Sequence, residues 1–234
     1  MSMSAVSPQV SPAPPQHVQP ALPSLMIKGP AAADRCIEEG FVASVFERAW
    51  GAHVTRFLPW LCSLLPQADA VPEAVLGLRA AARERLFCEQ YLDEPLLAVP
   101  ARLHGQVCER ADIMELGNLA ASSAGRGALL YLLATQAAHR AGVRYLLFAA
   151  NRAVRLSILR SGFTPLVVGP ADAGRLGSRA GEWGRYYDGN PVVMLGDMAL
   201  TDRQARQRQG VPALLAHYDS AIAGLASVLS EVRQ

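Results

Sequence analysis

The chain has 234 residues, enough for one sizeable core with appendages rather than several domains. Its 22 basic and 20 acidic residues leave a net charge of +2, which argues against a polyanionic partner and so against nucleic acid. No uncharged apolar run reaches the ~18 residues that span a bilayer, so no integral membrane segment is expected.

The first 23 residues hold six prolines and no Lys or Arg, which predicts a disordered or extended tail and no secretory signal. SLMIK (24–28) reads as a first strand and Pro30 to Trp50 as a helix, with Val42, Val45, Phe46 and Ala49 on one face. RFLPWLCSLL and EAVLGLRAA read as two strands around a Pro-containing turn, Pro59 demoting the first to an edge or bulged strand. LFCEQYL reads as a further strand and PLLAVPARLHG as a short helix broken by Pro100. IMELGNLAA is the expected central strand.

After the glycine turn SSAGRGA, Leu129, Leu132, Leu133 and Ala137 recur at helical spacing. VRYLLFAA is a continuous apolar run of the kind buried on both faces of a sheet. Asn151 is placed to cap the next helix and Gly162 to end it. Strand, helix, strand in this order predicts a right-handed βαβ unit. TPLVV and PVVMLGDM are expected as the last strands. A C-terminal helical region follows over about 201–234, with Leu215, Tyr218, Ile222, Leu225, Leu229 and Val232 forming a seam of about two and a half heptads. That length favours docking on its own domain over dimerisation, although a dimer stays open.

Cys36, Cys62, Cys88 and Cys108 form no CxxC pair, and no histidines are spaced as metal ligands. The thiols read as reduced and mostly buried in a cytoplasmic protein, with no metal site. Glu115 is the acidic residue inside the apolar strands. Burial of a carboxylate is costly unless it is partnered or faces a cleft, so Glu115 is either a paired structural residue or a general base or substrate anchor. Trp183, Tyr186, Tyr187 and Asp188 follow a Gly/Arg-rich loop and can build a substrate pocket or simply pack that loop. Tyr91 is grouped with them, and Arg56 is a candidate partner for a substrate carboxylate.

The turn Ser122-Ser123-Ala124-Gly125-Arg126-Gly127-Ala128 resembles the Q/R-x-x-G-x-G/A turn of GCN5-related N-acetyltransferases, with Ser122 in place of the leading Gln or Arg. The resemblance implies that Gly125, Arg126, Gly127 and Ala128, with a helix N-terminus, hold a donor pyrophosphate. NRAVRLSILRSGF resembles the next helix of that superfamily through Asn151, Gly162 and Phe163. Ile158 stands where the family's usual proton-donating Tyr would be.

Over about residues 24 to 200, FLPWL, EQYLDEP, MELGNLA and W-G-x-Y-Y-D followed by P-V-V resemble the thermostable hemolysin family. That family is similar in fold to acyl-homoserine-lactone synthases, whose Glu-Leu-Ser/Thr-Arg-Phe motif reads Glu115-Leu116-Gly117-Asn118-Leu119 here. Asn118 in the place of the Arg argues against lactone synthesis itself. These resemblances imply an α/β fold, a mixed twisted sheet of acetyltransferase (GNAT-like) type with flanking and C-terminal helices, the acyltransferase domain covering 24–200. They also imply acyl transfer from a phosphopantetheine thioester, on acyl carrier protein or coenzyme A, to a small amine. Glu115 would be the base, and strand N–H groups of Asn118, Leu119 and Ala120 would polarise the thioester. A membrane-active protein and a catalytically inactive acyl-binding module are the alternatives.

Overall fold

The computed structural model describes residues 22–67 and 70–234; the tail expected over 1–23 falls, apart from Leu22 and Pro23, outside them. Strands Ser24–Lys28 (β1), Trp60–Leu65 (β2), Ala74–Ala80 (β3) and Ile113–Ala121 (β4) pair antiparallel in sequence order. Tyr145–Ala150 (β5) joins β4 in parallel, while Leu166–Pro170 (β6) and Val192–Asp197 (β7) complete the order β1-β2-β3-β4-β5-β7-β6. The expected mixed sheet is present, with IMELGNLAA as its fourth and central strand.

Helix Ala124–Arg140 (α3) is the crossover between the parallel β4 and β5. Its residues Leu130 to Ala138 are buried without a break, because the sheet covers one side and helices Met198–Arg206 (α5) and Asp219–Val232 (α7) cover the other. A helix covered all round needs apolar residues all round, so the one-sided spacing that locates it understates its burial. The C-terminal seam docks on its own domain: Ile222, Leu225 and Leu229 join the core, and the Tyr218 hydroxyl donates to the Pro23 carbonyl at 2.6 Å. Between them in sequence, Val211–His217 (α6) contributes Leu215. No single helix among the described residues is long and apolar enough to cross a membrane. Tyr218→Phe leaves the Pro23 carbonyl without its partner and is expected to lower stability by about 1–3 kcal/mol in urea unfolding. An unchanged unfolding midpoint would show that this tie contributes nothing.

On the opposite face, Cys36–Trp50 (α1) packs Val42 and Phe46 against β3 and β4. Ala49, expected on that face, is exposed, and Trp50 takes the inward position. The helix starts at Cys36 rather than Pro30, since 30–35 are turns. β5 is buried on both faces as expected, with Leu146 and Phe148 in the α3 cluster and Tyr145 and Leu147 in the other.

Three local readings are corrected. LFCEQYL is not a strand: Phe87–Tyr91 is a 3-10 helix. Its early N–H groups go to carboxylates, Leu86 to Glu89 at 2.8 Å and Phe87 and Cys88 to Glu115, so none is left for a neighbouring strand. Pro59 does not mark an edge, because it precedes β2, which lies between β1 and β3. Pro100 does not break Ala98–His104 (α2), since it sits in the first turn, where a backbone N–H has no helical partner to lose.

Two irregularities shape the sheet. β4 and β5 pair only from Ile113–Tyr145 to Glu115–Leu147, and beyond Glu115 they diverge. On its other side β4 bulges: the register with β3 shifts between Val75 and Gly77, setting Asn118 and Leu119 opposite Leu76. Asn118 takes φ 52, a left-handed conformation that Asn tolerates better than most residues, and such bulges bend a strand locally.

Candidate active site

The bulge positions a loop over the sheet. The Asn118 Oδ1 accepts the Leu58 N–H at 2.8 Å, and the Arg35 guanidinium donates to the Leu58 and Pro59 carbonyls, both at 2.6 Å. Leu58 then lies on the paired glycines of β3 and β4: a Cβ on Gly77 would stand 2.7 Å from its Cβ, and one on Gly117 3.0 Å from its Cδ1. Segment 51–58 therefore crosses the sheet only because both residues beneath it lack side chains. A second segment, 173–189, closes over the first. The His53 N–H donates to the Glu182 carbonyl at 2.6 Å, and the Arg185 N–H to the Trp50 carbonyl at 2.8 Å.

Under these segments lies a cavity of about 250 Å³ floored by Glu115 to Leu119 of β4 and by Phe148 and Ala149 of β5. Its walls are aromatic. Phe46, Trp50, Phe87, Tyr91, Trp183, Tyr186 and Tyr187 pack edge-on, tilted or stacked, with ring centroids 4.8–6.3 Å apart. The Tyr91 and Tyr187 hydroxyls hydrogen-bond to one another. Burial raises both phenols, Tyr187 to about 12, so they are neutral hydrogen-bonding groups near pH 7.

Glu115 is 2% exposed. Its Oε1 accepts the Cys88 N–H at 2.6 Å, its Oε2 accepts the Phe87 N–H at 2.9 Å, and the Arg79 guanidinium stands 3.8 Å away. Desolvation raises its pKa above the usual carboxylate value, and the backbone donors, the Cys88 thiol and Arg79 only partly offset that. Each oxygen keeps lone-pair capacity beyond its single backbone donor, so a proton from a bound group has somewhere to go. Cys88 also lines the cavity, but burial and the Glu115 charge push its thiol well up, which keeps it protonated and a poor nucleophile. All four cysteines are free thiols, with Cys36 exposed.

A second cavity, of about 260 Å³, occupies the split between β4 and helix Arg152–Arg160 (α4). It is lined by Leu119 to Ala121, by Ser123, Ala124, Gly127 and Ala128 at the start of α3, and by Asn151, Ser157 and Ser161. Ser123 caps α3 by accepting the Arg126 N–H at 3.4 Å, and Asn151 caps α4 by accepting the Val154 N–H at 3.0 Å. A Cβ on Gly127 would stand 3.3 Å from the Ala121 Cβ, so this glycine lets α3 close on β4.

Of the residues singled out in the sequence, Glu115, Asn118, Leu119, Arg56, Tyr91, Trp183, Tyr186 and Tyr187 come together around the first cavity. Ala120, Gly127, Ala128 and Asn151 gather around the second. Gly125, Arg126 and Asp188 line neither; Arg126 instead pairs with Glu73 at 2.7 Å and Asp188 is exposed. Phe46, Trp50, Phe87, Tyr131 and Arg179 were not anticipated. Their helical apolar spacing or loop position carries no local sign of a cavity formed by elements far apart in sequence.

A model of the family described as thermostable hemolysin matches residues 29–201, well over half of the chain. The chain belongs to the thermostable hemolysin family. No curated protein matches this hemolysin-family chain. Among solved structures, TofI in an apo form superposes with a TM-score of 0.54 at 18% identity, covering 80% of this chain and 99% of that one. TofI in a ternary complex with an inhibitor and MTA gives 0.53 at 18%, covering 80% and 98%. FeeM, an N-acyl amino acid synthase from uncultured soil microbes, gives 0.50 at 14%, covering 84% and 97%. The fold of this hemolysin-family protein is thus one it shares with TofI and FeeM, an α/β architecture built on a mixed seven-stranded sheet.

Proposed function

We propose that the protein transfers an acyl group from a phosphopantetheine thioester to a small amine. The observation that carries this reading is that the two cavities meet: both are lined by Trp50, Leu119, Tyr131, Val154 and Ile158. A pantetheine arm in the split between β4 and α4 would place its thioester at that junction. Main-chain N–H groups among Asn118, Leu119 and Ala120 that face the side β5 leaves unpaired would then polarise the carbonyl. The amine would attack from the aromatic cavity, with Glu115 taking its proton. The enzyme forms no covalent intermediate in this scheme, in keeping with the protonated Cys88 thiol.

FeeM is described as an N-acyl amino acid synthase. Carried over to this chain, the acceptor is an amine bearing a carboxylate, paired bidentately by the exposed Arg56 at the first cavity. Incubating the protein with decanoyl-coenzyme A or decanoyl-acyl carrier protein and the amino acids, then reading N-acyl products by mass spectrometry, tests the reading. Thiol release with an N-acyl product is expected. No product from any donor and acceptor, with the donor still bound, would favour an inactive acyl-binding module. Leakage of dye-loaded vesicles caused by the protein alone would favour a membrane-active role instead.

The carrier-protein donor is expected to be used with the higher kcat/KM. Ser122 offers no cation to a coenzyme A pyrophosphate, and Arg126 is tied to Glu73, while Arg152 is exposed and Arg155 partly so on α4 beside the split. Those arginines suit an acidic carrier surface, and salt should weaken that reaction more, since surface charge pairs are screened beyond about 8–10 Å. Thiol release with both donors at two salt concentrations checks this. A coenzyme A preference, or equal salt sensitivity, would refute it.

A further inference from the structure

Of the five residues common to both cavities, Leu119, Val154 and Ile158 are aliphatic and Trp50 offers only an indole N–H, which donates a hydrogen bond but gives up no proton. Tyr131 is the remaining one. It projects from α3, its ring is held against Phe148 at 6.3 Å and Phe163 at 5.4 Å between centroids, and it is 3% exposed. Its hydroxyl is buried, yet among the described residues no group hydrogen-bonds to it. A buried hydroxyl left unpaired costs about 1–3 kcal/mol, so its position asks for a partner that the described residues do not supply.

We propose that this partner is the thioester sulfur, and that Tyr131 is the catalytic acid that protonates it as it leaves. The proposal rests on the acyl-transfer reading above. It places the proton donor on α3, the helix between β4 and β5, and not on α4, where Ile158 has nothing to give. In the step, the amine nitrogen bonds to the thioester carbon, the C–S bond breaks, and its electron pair takes the phenolic proton to release a free thiol. The proton lost by the amine passes to Glu115 and on to solvent, and the phenolate regains a proton from water as the thiol departs, so acyl thioester and amine become amide and thiol. Burial raises the Tyr131 phenol. A thiolate formed in the same desolvated junction is a stronger base than in water, which favours its taking the phenolic proton.

Tyr131→Phe removes the hydroxyl and leaves the ring packing. Its melting temperature is expected to be no lower than that of the wild type, since the substitution breaks no hydrogen bond among the described residues and removes a buried unpaired hydroxyl. With decanoyl-coenzyme A, whose alkyl thiolate needs a proton, kcat should fall about 10²-fold, whereas with the decanoyl thioester of 4-nitrothiophenol, a thiolate stable without one, it should stay within about threefold. Equal losses on both donors, or no loss on either, would overturn the proposal. Wild-type protein inactive on both would instead sink the acyl-transfer reading beneath it. Binding gives an answer independent of turnover: the wild type should hold coenzyme A more tightly than desulfo-coenzyme A in calorimetric titration, and Tyr131→Phe should abolish the difference. A difference that survives the substitution removes Tyr131 from the sulfur.

Discussion

Glu115→Gln is expected to lower kcat by about 10²–10⁴-fold, the range that a positioned general base contributes. The wild-type kcat/KM profile should fall on its acid side with a single deprotonation, centred above the usual carboxylate value because desolvation raises this group. The variant should lack that limb. The substitution is not structurally silent. Gln presents an N–H₂ where one of the Phe87 or Cys88 N–H groups now finds an oxygen, and losing that acceptor costs about 1–3 kcal/mol. Melting temperature and turnover therefore have to be read together, and wild-type turnover with a lowered melting temperature would reduce Glu115 to a strap for the 87–88 turn. The carboxylate also leaves a signature in stability. Its folded-state pKa is raised, so its contribution is whole below the unfolded value of about 4.3 and is lost as pH rises through the folded value.

Gly184→Ala is expected to unseat the cover of the site. Gly184 takes φ 51, and a Cβ there would stand 2.3 Å from the Trp50 carbonyl oxygen and 2.6 Å from that of Gly51. Both obstacles are backbone, so no rotamer change relieves them. The strained conformation alone is worth roughly 1–3 kcal/mol, equivalent to about 2–12 °C in melting temperature for a chain of this size. The contact it breaks lies beside the Arg185–Trp50 hydrogen bond that holds the two covering segments together. Activity should consequently fall further than the melting temperature implies, and faster proteolysis should appear within 173–189. A variant with wild-type melting temperature and proteolysis would show that the two segments need no such close approach.

The parts of this architecture that depend on neighbouring residues were legible. Asn151 caps α4, Gly162 follows it with φ 79, and the apolar run of β5 is buried on both faces as its composition demands. What escaped was set by distant partners. LFCEQYL has the composition of a strand, but a carboxylate 27 and 28 residues further on takes the N–H groups a strand would have offered its neighbour. Glu115 stands out as a charged residue in an apolar run, whereas Tyr131 looks like any core aromatic on a helix, and only the meeting of two cavities distinguishes it. Asp188 reads like its aromatic neighbours in the sequence but turns outward at the last 3-10 turn, Tyr186–Gly189.

The divergence of β4 from β5 also bears on what a measured melting temperature means. The two halves of the sheet are joined by only three residue pairs, and the edges beyond Glu115 stay open. A donor arm bound across that gap, as proposed above, would bind the folded chain and not the unfolded one, so its binding free energy would add to the folding free energy by mass action. At a free concentration of a hundred times its Kd, the addition is about 2.7 kcal/mol. Resistance to heat in a donor-rich extract would then belong in part to the donor, and dialysis alone would lower it without any change in the chain.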